Sequence, residues 1–164
     1  MKKAGFTLVE MVVVVGVTGI IMAAITGVLL NSFKTKNRVN VADLVEQNGS
    51  MLIAELRKNV VNGVVSNCLG PSVKVLNKSD QGITTISCAG NKIASASGIP
   101  SVSVDLSGSN VTVDCTDSAF ATCTTVGGKI TKVVFTFTLS GGSAVAGPAN
   151  FVEKEFVTEV ATRD

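Results

Sequence analysis

The residues able to do chemistry are few and unevenly placed. The chain has 164 residues with no His, Trp or Tyr. Without His it lacks the commonest general base and the commonest metal ligand. Four cysteines, Cys68, Cys88, Cys115 and Cys123, lie beyond an apolar N-terminal block. Their even number suits an oxidising compartment. No Cys-x-x-Cys occurs, so with no His a zinc site is not expected. Of the three pairings open to four cysteines, Cys68–Cys88 with Cys115–Cys123 is favoured. The second bridge would staple the short polar loop from Thr116 to Thr122, worth about 2–3 kcal/mol if unstrained. Reduced thiols or another pairing remain the alternatives. Glu10 is the one ionisable residue between Phe6 and Leu30. A carboxylate in an apolar helix is costly, about 2.5–3.5 kcal/mol at a membrane centre and less near the interface.

The elements that must position these groups follow from patterning. Phe6 to Leu30 is apolar apart from Glu10 and scattered Thr and Gly. As a helix it would be about 37 Å long, more than the ~30 Å apolar thickness of a bilayer. Lys2 and Lys3 precede it and should stay in the cytoplasm, sending the C-terminus outward. Helical periodicity continues beyond Asn31. Val41, Leu44, Val45, Asn48, Leu52, Leu56 and Val60 recur at three- and four-residue spacings, which predicts an amphipathic continuation that stops at Asn62-Gly63. Gly16, Gly19, Gly27 and Gly49 each weaken that helix by about 1 kcal/mol relative to Ala.

After Gly63 short apolar runs alternate with turn residues, the pattern of strands. They run from Val64 to Leu69, Val73 to Leu76 and Ile83 to Cys88. Ser101 to Leu106 and Val111 to Cys115 flank Ser107-Gly108-Ser109-Asn110, a hairpin candidate. Lys129 to Leu139 alternates most clearly. A last strand from about Asn150 to Thr162 is expected to close against it. The expected fold class is α+β: one long N-terminal helix, half transmembrane and half amphipathic, packed on an antiparallel sheet.

Charge excludes some functions. The formal net charge is +2, and Lys2 and Lys3 account for it, leaving 12 basic against 12 acidic residues. No basic surplus exists to attract nucleic acid, and no nucleic-acid partner is expected. There is no Gly-rich phosphate loop and no Ser-His-Asp set, so the chain is not expected to be an enzyme or to need a cofactor.

Lys2-Lys3-Ala4-Gly5-Phe6-Thr7-Leu8-Val9-Glu10, followed at once by a long apolar run, resembles the prepilin cleavage motif of type IV pilins and type II secretion pseudopilins. The resemblance covers about the first 30 residues. It implies a leader at 1–5 cut between Gly5 and Phe6, N-methylation of Phe6, a transmembrane or filament-core helix at 6–30, an amphipathic half at 31–62 and a β-rich head at 63–164. It further implies that Glu10 serves subunit assembly by meeting the Phe6 amine of a neighbour, since two opposite charges tolerate an apolar core better together than alone. The implied partners are other pilin or pseudopilin subunits, a prepilin peptidase/methylase and the inner-membrane assembly platform. The implied location is a single-pass inner-membrane precursor whose mature form enters a periplasmic or cell-surface filament. The stripe with Gln47, Asn48, Leu52 and Arg57 and the closing Phe-Val-x-Lys-Glu-Phe strand look broadly like the larger minor subunits that prime assembly. Many major pilins carry a mid-span Pro; this span has none, which leaves melting at such a site without support. Some pseudopilins bind calcium. Asp105, Asp114 and Asp117 offer carboxylates, the last two around Cys115, but such residues more often shape turns, and no metal site is expected. Two other readings use the same N-terminus: a plain signal anchor, or an ordinary signal peptide cut near Ala23 or Ala24. Either would leave a membrane-anchored or secreted extracellular binding domain.

Overall fold

A computed structural model describes residues 7–79, 81–98, 102–108, 111–115, 120–142 and 151–162. One helix dominates. α1 runs unbroken from Leu8 to Val61, 54 residues. Thr7 starts it from an extended backbone, its hydroxyl accepting the Glu10 N–H at 3.3 Å, which satisfies one of the helix's orphan donors. Asn62 ends it, its N–H donating to the Lys58 carbonyl. The lower half, residues 7–40, is exposed throughout. In the upper half Val45, Gly49, Leu52, Leu56 and Val60 are buried. That is the predicted stripe, with Gly49 added to it.

Nine strands follow among the described residues: β1 (Gly63–Leu69), β2 (Ser72–Asn77), β3 (Ile83–Ala89), β4 (Lys92–Ser97), β5 (Val102–Asp105), β6 (Val111–Asp114), β7 (Ala121–Val126), β8 (Lys129–Gly142) and β9 (Phe151–Ala161). The α+β class and the closing strand are as expected. The expectation of one sheet is corrected: among the described residues there are two. β1 to β5 form a five-stranded antiparallel meander in chain order. In the second sheet β8 is the axis. β9 pairs along one edge of it, from Lys132↔Ala161 to Gly142↔Phe151. β7 and β6 share the other edge, at its beginning and its end.

The hairpin expected across Ser107–Asn110 does not form. β5 pairs with β4 and β6 pairs with β8, so the chain crosses from one sheet to the other at that point. Ser109 and Asn110 lie outside the described residues. The turn chemistry is real but serves the crossover. Asp105 Oδ1 accepts from the Ser107 N–H at 3.0 Å and from its hydroxyl at 2.6 Å, and Ser107 is fully buried. Two strands, β4 and β7, were not anticipated. Lys-Ile-Ala-Ser-Ala-Ser and Ala-Thr-Cys-Thr-Thr-Val are small and polar, and weak local preference hides a strand whose neighbours decide its conformation.

The core lies where α1 and both sheets meet. Val73, Val75, Ile86 and Ile93 from the first sheet join Val113, Val133, Phe135 and Leu139 from the second, beneath Leu52, Leu56 and Val60. α1 packs chiefly on β9 and β8. Two glycines make that approach possible. A Cβ at Gly49 would stand 2.1 Å from Phe156 Cζ, and one at Gly141 would stand 2.8 Å from Val45 Cγ2.

The favoured disulfide pairing is also corrected. The bridges are Cys68–Cys123, with Cα atoms 6.2 Å apart, and Cys88–Cys115, at 5.5 Å. Topology forbids the other arrangement. β2 lies between β1 and β3, which sets the strands of Cys68 and Cys88 about 10 Å apart. β6 and β7 occupy opposite ends of one edge of β8, so Cys115 and Cys123 lie about four residues apart along it, beyond disulfide reach. Each bridge instead joins the first sheet to the second.

Candidate functional site at the N-terminal helix

Gly5 and Phe6, the expected cleavage and methylation residues, lie outside the described residues. Glu10 sits in the first turn of α1 and is exposed. An acidic residue there complements the positive end of the helix dipole. Thr7 and Glu10 hold the Thr-x-x-Glu spacing of a capping box, of which the Thr7 half is formed. Sequence reading gave Thr7 a place only in the motif. Its spacing to Glu10 is the signal that would have marked it as the helix cap.

From Leu8 to Leu30 the helix presents apolar side chains on every side, among them Val9, Val12, Val15, Ile20, Met22, Val28 and Leu30. All of this surface is exposed among the described residues. A soluble monomer rarely exposes so large an apolar area, and α1 is long and apolar enough to cross a membrane. Its hydroxyls are arranged for an apolar surrounding. Thr18 donates to the Val14 carbonyl at 2.7 Å, Thr26 to Met22 at 2.8 Å and Ser32 to Val28 at 2.9 Å. Each satisfies its donor on the helix's own backbone, so none needs water. Against this, Glu10 stands as a single carboxylate on a surface that has to be covered, and it calls for a cation or an interface.

Of the three aspartates named for calcium, Asp105 and Asp114 are among the described residues. Asp105 is held by Lys92, whose Nζ is 2.7 Å from Oδ2. That hydrogen bond, with those from Ser107, lowers its pKa from 3.8 to about 2. Asp117 lies outside the described residues. Among the described residues no group of three or more His, Cys, Asp or Glu side chains comes together.

The family described as the prokaryotic N-terminal methylation motif matches residues 1–26. Neither a curated protein nor a solved structure matches the chain. The match begins before the expected cut and ends within the apolar half of α1. It therefore covers Gly5, Phe6, the Thr7 cap and Glu10 together. The chain carries at its N-terminus the methylation motif of type IV pilins and pseudopilins, on a long helix packed against antiparallel sheets.

Proposed function

We propose that this chain is a structural subunit of a type IV pilus or of a type II secretion-like pseudopilus. One observation carries the reading: the methylation motif at residues 1–26 runs directly into a helix whose apolar half is exposed throughout among the described residues. In this reading the precursor sits in the inner membrane as a single-pass protein with Lys2 and Lys3 inside and the head outside. A prepilin peptidase cuts between Gly5 and Phe6 and the new amine of Phe6 is methylated. Losing the basic leader leaves an apolar end that an assembly platform draws from the bilayer into a bundle of neighbouring helices. Glu10 then meets the Phe6 amine of an adjacent subunit and sets the axial register. Within the class, the Gln47-to-Arg57 stripe and the β9 sequence support a minor subunit that primes assembly.

The test is the mass of the N-terminal peptide of the mature protein, taken from the native envelope and the sheared surface fraction. A peptide beginning at Phe6 and one methyl group heavier is expected. A start at Met1 or near Ile25 overturns the reading in favour of an anchor or an ordinary secreted domain.

A further inference from the structure

Two short rows outside the membrane half of α1 each carry charge of one sign. Between Glu10 and Asp43 the sequence has no acidic residue, yet it holds Lys34, Lys36 and Arg38. All three are exposed. On the head, the outer face of β9 carries Glu153, Glu155, Val157 and Glu159 in alternation. Lys132 neutralises Glu159 at 2.8 Å, and Lys154, on the opposite face, pairs with Glu46. Among the described residues Lys34, Lys36, Arg38, Glu153 and Glu155 take part in no ion pair. β9 is an edge strand, and a charged edge deters pairing with other strands. That explains charge on β9 but not its uniform sign.

Spacing matches as well. Lys34 and Arg38 share a helix face about 6 Å apart along the axis. Glu153 and Glu155 share a strand face about 6.8 Å apart. The two rows cannot meet within one chain. Glu46, the partner of Lys154, lies about 18 Å further along α1 than Lys34 at 1.5 Å per residue. β9 runs in the same direction as α1, since Lys154 meets Glu46 and Thr158 meets Arg57 further on. A second copy with the same orientation, displaced by about 18 Å along the helix, would bring Lys34 to Glu153 and Arg38 to Glu155 in order.

We infer that the basic segment Lys34–Arg38 of one copy docks on the acidic row Glu153–Glu155 of a second copy of this chain. The inference rests on the filament reading above, with this chain repeating along the filament rather than serving only to prime it, and adds to that reading a contact between head and helix. Such a head-to-tail contact is heterologous and, in an array of parallel subunits, repeats without closing. Complementary charge would fix the register of the two copies more than their affinity.

The experiment uses the full chain in two differently tagged forms co-expressed in its own host, with the sheared filament fraction treated with a carbodiimide, which joins an amine to a carboxylate in direct contact. A crosslinked peptide pair uniting Lys34 of one tagged form with Glu153 of the other is expected. Reversing one side, Lys34→Glu with Arg38→Glu, or Glu153→Lys with Glu155→Lys, should lower incorporation roughly ten-fold, repulsion replacing attraction. Combining both reversals should restore most of it. If the wild-type chain enters filaments but gives no such crosslink, or if the combined variant is no better than either half, the contact is overturned and the filament reading stands. Loss on reversing the basic side together with no loss on reversing the acidic side also overturns it, and assigns the basic segment to anionic lipid headgroups. Absence of the wild-type chain from the sheared fraction overturns the filament reading and the contact with it.

Discussion

The ring of Phe156 lies where a side chain at Gly49 would have to be: a Cβ on that glycine would come within 2.1 Å of Cζ and 2.2 Å of Cε1. The helix backbone is thus itself the surface on which Phe156 rests. Phe137 stacks on the ring, centroids 5.7 Å apart, and the Lys154 ammonium stands 5.4 Å from the Phe156 centroid.

Gly49→Ala should therefore destabilise the protein, although Ala favours a helix over Gly by about 1 kcal/mol. Overpacking a filled site costs about 1–3 kcal/mol, and here the clash is with a buried ring stacked on Phe137. Phe156→Ala alone should cost about 3–5 kcal/mol. In the double variant the clash is gone, so its loss should be smaller than the sum of the two. Chemical unfolding of the full chain in detergent measures this. A Gly49→Ala protein more stable than the parent would refute the packing.

The disulfides tie one sheet to the other, so non-reducing peptide mapping should join Cys68 to Cys123 and Cys88 to Cys115. Replacing either pair by Ser should cost about 3–4 kcal/mol, the loops closed spanning 55 and 27 residues. A peptide holding Cys115 bonded to Cys123 would contradict the topology of β6 and β7.

Asp105 should make stability fall at low pH. Its pKa is lowered to about 2 by Lys92 first and Ser107 next. A carboxylate with a lowered folded value contributes stability that is complete above its ordinary value of 3.8 and is lost as pH falls through about 2. Asp105→Asn should be less stable than the parent at pH 6 and should lose less of its stability between pH 4 and 2. Thermal melts across that range check it; parallel curves for the two proteins would remove the role assigned to the Lys92 pair. The effect should be small, because the Lys92 side chain is 63% exposed.

Glu10→Ala should insert into the membrane and be processed, yet be depleted several-fold from the sheared fraction. Removing the carboxylate lowers the cost of the apolar half and takes away the partner expected for the Phe6 amine. The Thr7 cap uses the Glu10 backbone N–H, so the helix start survives the substitution. Incorporation at the parent level would dismiss the assembly role.

Much of the molecule was legible from local pattern. The end of the helix is where it was expected because the periodic apolar stripe and Asn62-Gly63 are local signals. The alternation of Val133, Phe135, Phe137 and Leu139 marked β8 because it is half of a buried pleat, and all four are buried. β4 and β7 escaped notice because small and hydroxylated side chains take their conformation from the strands beside them. Ser107 and Gly108 read as a hairpin turn because turn chemistry says where a chain bends and not which strand it joins next. Gly49 read as a flaw in the helix because its use depends on Phe156, which is distant in sequence.

What the sequence alone determined is therefore the part written in contiguous residues. Lys2, Lys3, Gly5, Phe6 and Glu10 around the start of an apolar run lie within the methylation motif, and 3.6-residue periodicity carries the helix beyond it. Each of these depends on neighbours a few positions away, where spacing along the chain equals spacing in space. The division of the strands into two sheets, the bridges joining those sheets and the seat of Phe156 on Gly49 were decided only by tertiary structure. They depend on pairings between residues far apart in the chain, and several such pairings satisfy the same local preferences until packing selects one.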